Sequence, residues 1–224
     1  KKTISSLGGK INSYVPVGSI SMQSNWFDLN KDILNLPDVD ILVIGINPSS
    51  CLEINNTVKN NYFEHINWIK KLSDDYKNLK ILIKHHEYRL HKGSNDEIMR
   101  VEKKILQNSN VKTIINSNSI NGSYGYFEKS KVIVSFGSTM ILEGLSQNKK
   151  CFFLDPNLEN TAFFKNHTNY DSLRLGTYEA FKSKIFSSLS DVETNGQVNQ
   201  NNDKFCLKSN KVSNKIYDFY NNYK

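Results

Sequence analysis

The chain carries short, continuous hydrophobic runs that are separated by longer segments of helical periodicity. Runs of this kind are typical of strands that are buried on both faces of a parallel sheet. They lie at residues 39–45, 80–84, 111–115, 132–136 and 151–154, with a shorter candidate strand at 14–20. Strands that alternate with helices at this spacing indicate an α/β fold with a mainly parallel sheet.

The segments between the runs place apolar residues along one face of a helix. In 60–75 these residues are Phe63, Ile66, Ile69 and Leu72. Ser94 and Glu97 form a capping box, which predicts the start of the next helix. Further helices are expected at 124–129, from Ser138 onward, at 178–189 and at 212–223. The predicted fold is therefore Rossmann-like, with helices on both faces of the sheet.

The turn Gly137-Ser138-Thr139 follows a predicted strand and opens a predicted helix. In sheets of this class, ligands bind outside the carboxyl ends of the strands. A glycine turn at a helix start leaves N–H groups without intrahelical partners, next to the partial positive charge of the helix end. This predicts a phosphate site at Gly137, Ser138 and Thr139. The alternative is an ordinary turn in which Ser138 caps the helix.

Glu143 lies four residues after Thr139, on the same helix face. It either accepts hydrogen bonds from ribose hydroxyls or is a solvated helix residue.

His86 and Glu87 follow the strand at 80–84. A histidine there can donate to a phosphate or transfer a proton, since its ordinary pKa is near ~6.5, and Glu87 can orient an imidazole. The alternative is a surface pair in a basic loop.

Three further polar residues follow predicted strands. Asn47 and Ser49 are candidates for contact with a leaving phosphate or an acceptor, and Asn118 lies in a turn-rich loop at 116–122 that could meet a base. These segments are equally consistent with plain loops. The sequence contains none of the patterns G-x-x-x-x-G-K-[ST], G-x-G-x-x-G and G-x-S-x-G.

Composition narrows the classes of function. The 224 residues suffice for one good core, and a net charge of +7 suits anionic ligands. The lysines are scattered, so nucleic acid is not an expected partner. Cys51, Cys151 and Cys206 have no metal-site spacing and indicate a reducing compartment. We expect no metal or cofactor, no membrane helix and a cytoplasmic location, with the charge leaving peripheral contact with the inner membrane face open.

Several of these motifs together resemble the carboxyl-terminal half of GT-B glycosyltransferases of bacterial capsule and surface polysaccharide synthesis. The matching residues are Lys84-x-His86, the run 123–134, Phe136-Gly137-Ser138-Thr139 with Glu143-Gly144-Leu145, and Lys149–Phe153. The family pattern reads K-P-H-P after one strand, then S-D-x-V-x-x-x-x-S-[ST]-x-x-x-E-A-L and G-K-P. The resemblance implies that His86, Ser138 and Thr139 contact the donor's phosphates and that Glu143 contacts its ribose or base. This sequence departs from the pattern at Glu87, Gly144 and 148–151.

A complete GT-B enzyme has two Rossmann-like domains, and this chain has room for one. The resemblance therefore implies a linker from a missing amino-terminal domain at 1–38, a donor-binding domain at 39–190, a polar loop at 191–210 and a crossover helix at 211–224. The expected partners are a nucleotide sugar, a saccharide or glycolipid acceptor, and a second domain or chain.

The predicted function is the donor-binding part of a glycosyltransferase. An enzyme similar to NDP-sugar 2-epimerases and a non-catalytic nucleotide- or glycan-binding module are the alternatives.

Overall fold

The computed structural model of the chain describes residues 36–45, 56–85, 95–115, 120–138, 140–146, 149–156 and 170–190. The predicted strand at 14–20, the polar loop at 191–210 and the terminal helix at 212–223 lie outside these residues, as does the capping residue Ser94. The proposed division into domains therefore stays a prediction.

The described strands form one parallel sheet of six strands in the order β3-β2-β1-β4-β5-β6. Their bounds are Val39–Ile44 for β1, Ile81–His85 for β2, Lys112–Ile115 for β3, Ser130–Ser135 for β4, Lys150–Leu154 for β5 and Arg174–Leu175 for β6. The prediction of a Rossmann-like α/β fold with a mainly parallel sheet is confirmed. The five predicted core strands all lie within a residue or two of their expected positions.

The described residues contain six helices. Their bounds are Asn56–Asp75 for α1, Asn95–Ile105 for α2, Ile120–Lys129 for α3, Met140–Ser146 for α4, Tyr170–Leu173 for α5 and Tyr178–Ser190 for α6. The helix α1 begins at Asn56 rather than at residue 60. The expectation of a loop at 116–122 is wrong for residues 120–122, which form the first turn of α3. An Asn-Gly pair favours a turn locally, but α3 buries Phe127 completely, and this burial outweighs the local preference.

Two short elements, α5 and β6, were not anticipated. A strand of two residues has no detectable hydrophobic period. Its position is set by Arg174, whose Nη2 atom lies 2.9 Å from Oδ2 of the fully buried Asp155. The Asp155 N–H also donates to the Leu175 carbonyl oxygen at 3.0 Å. These contacts attach β6 to the end of β5.

The core has two halves, one on each face of the sheet. Successive residues of a strand point to opposite faces, and Leu42 and Val43 accordingly belong to different halves. Val43 packs with residues of α1 and α6, where Trp68 stacks on Phe181. Leu42 packs with Phe127 of α3 and with residues of α4. The four central strands β2, β1, β4 and β5 are covered on both sides, which explains their apolar runs.

Gly144 lets α4 approach the sheet closely. A Cβ atom at this position would lie 2.6 Å from Cys151 Sγ, 3.1 Å from Phe127 Cε1 and 3.3 Å from Ile133 Cδ1. These neighbours are buried, so they have little room to move. Gly144 stands where the glycosyltransferase pattern has alanine. The absence of a side chain at this position leaves room for the sulfur atom of Cys151.

We expect Gly144→Ala to destabilise the protein by about 1–3 kcal/mol, because the added methyl group overpacks this contact. Cys151→Ala removes the opposing sulfur atom, so the double variant should lose less than the sum of the two single variants. Urea unfolding of the wild type, both single variants and the double variant measures this coupling. Strictly additive losses would show that the two residues do not compete for space.

Candidate functional site

The candidate site lies where β1 and β4 are neighbours in the sheet. Strand order runs outward from this pair in both directions, to β2 and β3 on one side and to β5 and β6 on the other. The connections leave the two strands on opposite sides, which opens a crevice at their carboxyl ends, the usual ligand position in such sheets. Ile44 pairs with Ser135 at this edge, and Gly137 and Ser138 follow directly.

The side chain of Ser135 ties this edge together. Its hydroxyl is fully buried and donates to the carbonyl oxygen of Ile44 at 3.1 Å. The same oxygen accepts the N–H groups of Gly137 at 3.2 Å and of Ser138 at 3.0 Å. A hydroxyl offers one donor and two acceptor positions, so all of them are used. Ser135 therefore sets both the distance between the strand ends and the shape of the turn.

The turn also binds its own helix. Ser138 Oγ accepts the Met140 N–H at 3.2 Å, and the Ser138 carbonyl oxygen accepts the Ile141 N–H at 3.2 Å. The N–H groups of Gly137, Ser138, Met140 and Ile141 thus all have partners within the chain. A glycine turn at a helix start predicts unpaired amides, and at these four positions that prediction is wrong. Ser138 caps α4 as the alternative interpretation expected, and its hydroxyl proton is not used in that bond.

The structure places three of the predicted site residues. Gly137 and Ser138 lie at the switch point, and Glu143 lies in the first turn of α4 with a half-buried side chain. The other predicted residues are His86, Glu87, Thr139, Asn47, Ser49 and Asn118, and they lie outside the described residues. Their participation in the site stays a prediction.

Lys84 adds positive charge to the same edge. It pairs in register with Ile44, which itself pairs with Ser135, so the three residues form a row across β2, β1 and β4. Side chains in such a row share one face of the sheet. Only 8% of Lys84 is exposed, and burial lowers the pKa of its ammonium group. A buried cation on this face favours an anionic ligand.

Behind the edge lies a buried polar cluster that the sequence analysis missed. Glu102 of α2 accepts a hydrogen bond from the Tyr62 hydroxyl at 2.7 Å, and its other carboxylate oxygen lies 2.6 Å from His85 Nε2. All three side chains are almost fully buried. Glu102 lies four residues from both Ile98 and Leu106, which places it on the inward face of α2. This spacing is the feature of the sequence from which a buried carboxylate at residue 102 could have been predicted.

His65 of α1 adjoins this cluster, stacked on Tyr62 at 6.0 Å between ring centroids and set edge-on against Phe136 at 5.9 Å. Burial lowers the pKa of His65 to about 4, although the charge of Glu102 and a bond with the backbone of Leu154 oppose the shift. Within the described part of the chain, its Nδ1 atom has no hydrogen-bond partner. His65 is therefore a neutral core residue at physiological pH.

A groove of about 1210 Å³ runs beside α2 and the edge strand β3. Its walls include the basic residues Arg100, Lys103 and Lys104, and it reaches His85 and Glu102. This groove is separate from the β1–β4 switch point, because β2 lies between β3 and β1.

The described residues contain no group of three or more His, Cys, Asp or Glu side chains arranged to hold a metal ion. Among the helices of these ranges, none is long and apolar enough to cross a bilayer.

No protein-family model matches the sequence, and no curated protein matches it either. Solved structures match its fold. UDP-GlcNAc 2-epimerase from Methanocaldococcus jannaschii, in complex with UDP-GlcNAc and UDP, has a TM-score of 0.62 at 11% identity, covering 99% of this chain and 58% of its own. The S. aureus MnaA structure with UDP has a TM-score of 0.58 at 16% identity, covering 100% of this chain and 57% of its own.

Such low identities show the fold alone. The chain has the Rossmann-like architecture found in these GT-B-like proteins, and it spans between 57% and 58% of their length.

His65→Gln should flatten the pH dependence of stability. The pKa of His65 is 6.5 in the unfolded chain and about 4 when folded, so the unfolded state binds more protons between these values. The free energy of unfolding therefore falls as the pH is lowered through this window. We expect the wild type to lose about 3 kcal/mol more than the variant between pH 7 and pH 4. Urea unfolding across this range measures the difference, and parallel curves would contradict the assignment.

Proposed function

We propose that this chain is the nucleotide-binding part of an enzyme that acts on a nucleotide sugar, with the donor's diphosphate bound at the β1–β4 switch point. The observation that carries this proposal is the hydroxyl of Ser135, which joins the two strand ends and shapes the Gly137–Ser138 turn beside the crevice. The likeness in fold to proteins solved with UDP supports the choice of ligand.

In this proposal the diphosphate is held by side chains more than by backbone amides, since the N–H groups of Gly137 and Ser138 bond to Ser135. The Ser138 hydroxyl donates to a phosphate oxygen while its oxygen still caps α4. The ammonium group of Lys84 compensates the negative charge of the diphosphate. Lys84 lies on the same face of the sheet as Ser135. Thr139 is a second hydroxyl donor, and Glu143 accepts from the ribose.

The proposed reaction is transfer of the sugar to a saccharide or glycolipid acceptor. The sugar develops positive charge as the bond to the diphosphate breaks, and the leaving group gains negative charge. Groups placed in advance around that charge lower the barrier. We assign this task to His86, Ser138 and Lys84. The acceptor and a general base would come from the second domain that the resemblance implies.

The alternative reaction is inversion of configuration at C2 of the bound sugar. The neighbour from M. jannaschii favours this reaction, because that protein is a UDP-GlcNAc 2-epimerase. Such a reaction breaks and re-forms the C2–H bond, so it requires acid and base groups near the sugar. Among the predicted site residues, Glu87 and His86 are the candidates for that role.

The binding proposal is tested by isothermal calorimetry with UDP, after a thermal-shift comparison of CMP, CDP, UDP and GDP. Binding to the folded state raises its melting temperature. Ser135→Ala should weaken UDP binding about tenfold, which corresponds to ~1.4 kcal/mol, because the turn loses the bonds that shape it.

Ser130→Ala is the matched control for this variant. Ser130 is also a buried serine of β4, and its hydroxyl donates to the Phe127 carbonyl oxygen at 3.0 Å, but it lies at the opposite end of the strand. Both variants should lose about 1–3 kcal/mol of stability, and only Ser135→Ala should lose affinity. Equal affinity losses, or no binding of any nucleotide by the wild type, would contradict the proposed site.

The two reactions are separated by incubating the protein with UDP-GlcNAc in heavy water. Epimerisation would place deuterium at C2 of the sugar, because the proton that returns to this carbon comes from solvent. Transfer would release UDP only when an acceptor saccharide is added, with no deuterium at C2. Proton NMR of the nucleotide sugar reads both results, and we expect acceptor-dependent release. Deuterium at C2 would establish the alternative.

A further inference from the structure

Glu102 is a buried carboxylate at the carboxyl edge of the sheet. It is 3% exposed, and its two oxygens meet the Tyr62 hydroxyl at 2.7 Å and His85 Nε2 at 2.6 Å. Removing a carboxylate from water is costly unless such partners compensate for the lost hydration. Well-packed apolar residues in place of a buried ionic network are often as stabilising as the network itself. The network therefore fixes the positions of Tyr62, Glu102 and His85 relative to one another.

The position that Glu102 defines is that of the His85 ring. His85 is the last residue of β2, and its ring lies directly against Gly45 at the end of β1. A Cβ atom on Gly45 would lie 2.5 Å from His85 Nδ1 and 3.1 Å from the Lys84 carbonyl oxygen. The Gly45 N–H also donates to that carbonyl oxygen at 2.8 Å. The ends of β1 and β2 are thus fixed relative to each other by a ring that only a glycine can accommodate.

The end of β1 leads directly to the candidate site. Gly45 follows Ile44, whose carbonyl oxygen accepts the Ser135 hydroxyl at 3.1 Å. A shift of the His85 ring against Gly45 therefore disturbs the bond that joins β1 to β4. We infer that Glu102 is a positioning residue for the nucleotide site, acting through His85 and Gly45 on the bond between Ile44 and Ser135. This inference rests on the proposed function, which supplies the ligand.

The test uses three substitutions in the full chain. Glu102→Leu removes the acceptor of His85 but keeps an apolar side chain of similar size. Glu102→Gln keeps one oxygen that His85 can donate to, and it replaces the charged carboxylate by a neutral amide whose NH2 group can donate to the Tyr62 hydroxyl oxygen. Tyr62→Phe removes the hydrogen bond to the other carboxylate oxygen and leaves the His85 contact intact. If Glu102 only stabilised the fold, Glu102→Leu and Tyr62→Phe would bind UDP equally well and differ only in their free energies of unfolding.

Calorimetry should show UDP bound about tenfold more weakly by Glu102→Leu, whereas Glu102→Gln and Tyr62→Phe stay within about twofold of the wild type. If Glu102→Leu does not fold, Gly45→Ala displaces the His85 ring from the other side and should reproduce the loss. Equal affinities for Glu102→Leu and Tyr62→Phe would overturn the inference, as would an unchanged affinity for Gly45→Ala.

A second readout needs no ligand. In the apo protein, the backbone amide resonances of Ile44 and Gly45 should move in Glu102→Leu and stay in place in Tyr62→Phe. If the wild type bound no nucleotide, the proposed function would fail, and these resonances would still decide whether Glu102 positions the strand ends. Unmoved resonances in Glu102→Leu would overturn the positioning role on their own.

Discussion

The pairing of β1 with β4, held at its carboxyl end by the Ser135 hydroxyl, is the contact on which the rest of the structure depends. The other strands attach outward from this pair, so its separation would divide the sheet into two halves of three strands. The same hydroxyl bonds to Gly137 and Ser138, which begin the connection to α4. The hydrogen bonds of the Ser135 hydroxyl therefore both connect the two halves of the sheet and shape the turn at the candidate site.

Much of the fold could be predicted from sequence because its four central strands are buried on both faces. A residue of β1 such as Leu42 or Val43 faces a packed helix layer whichever way it points, so the apolar run is continuous and easily recognised. Elements that depend on distant partners were not predictable in this way. β6 has two residues and is held by Arg174 against Asp155, and the first turn of α3 is helical because burial of Phe127 overrides the preference of Asn121-Gly122 for a turn.

The residues of the candidate site likewise differ in whether local sequence or a distant partner determines their role. Gly137 and Ser138 could be placed at a ligand crevice from the order of strands and helices alone. The role of Ser135 could not, because its partner Ile44 lies 91 residues away and a serine within an apolar run identifies no acceptor. Local rules predict that the amides at a helix start are unpaired. Here the Ser135 hydroxyl, which precedes the turn, accepts the N–H groups of Gly137 and Ser138. Glu102 is a different case, since its spacing from Ile98 could have indicated an inward carboxylate but not the His85 and Tyr62 side chains that it binds.

The contact between Gly144 and Cys151 also makes the thiol a reporter of motion. Cys151 is 2% exposed, and burial raises the pKa of its thiol above its ordinary range, so almost no thiolate is present at neutral pH in the folded state. Alkylating reagents attack the thiolate, and they reach this sulfur atom only when the packing around it opens. The rate of labelling at Cys151 therefore measures how often the core beneath α4, beside the candidate site, opens.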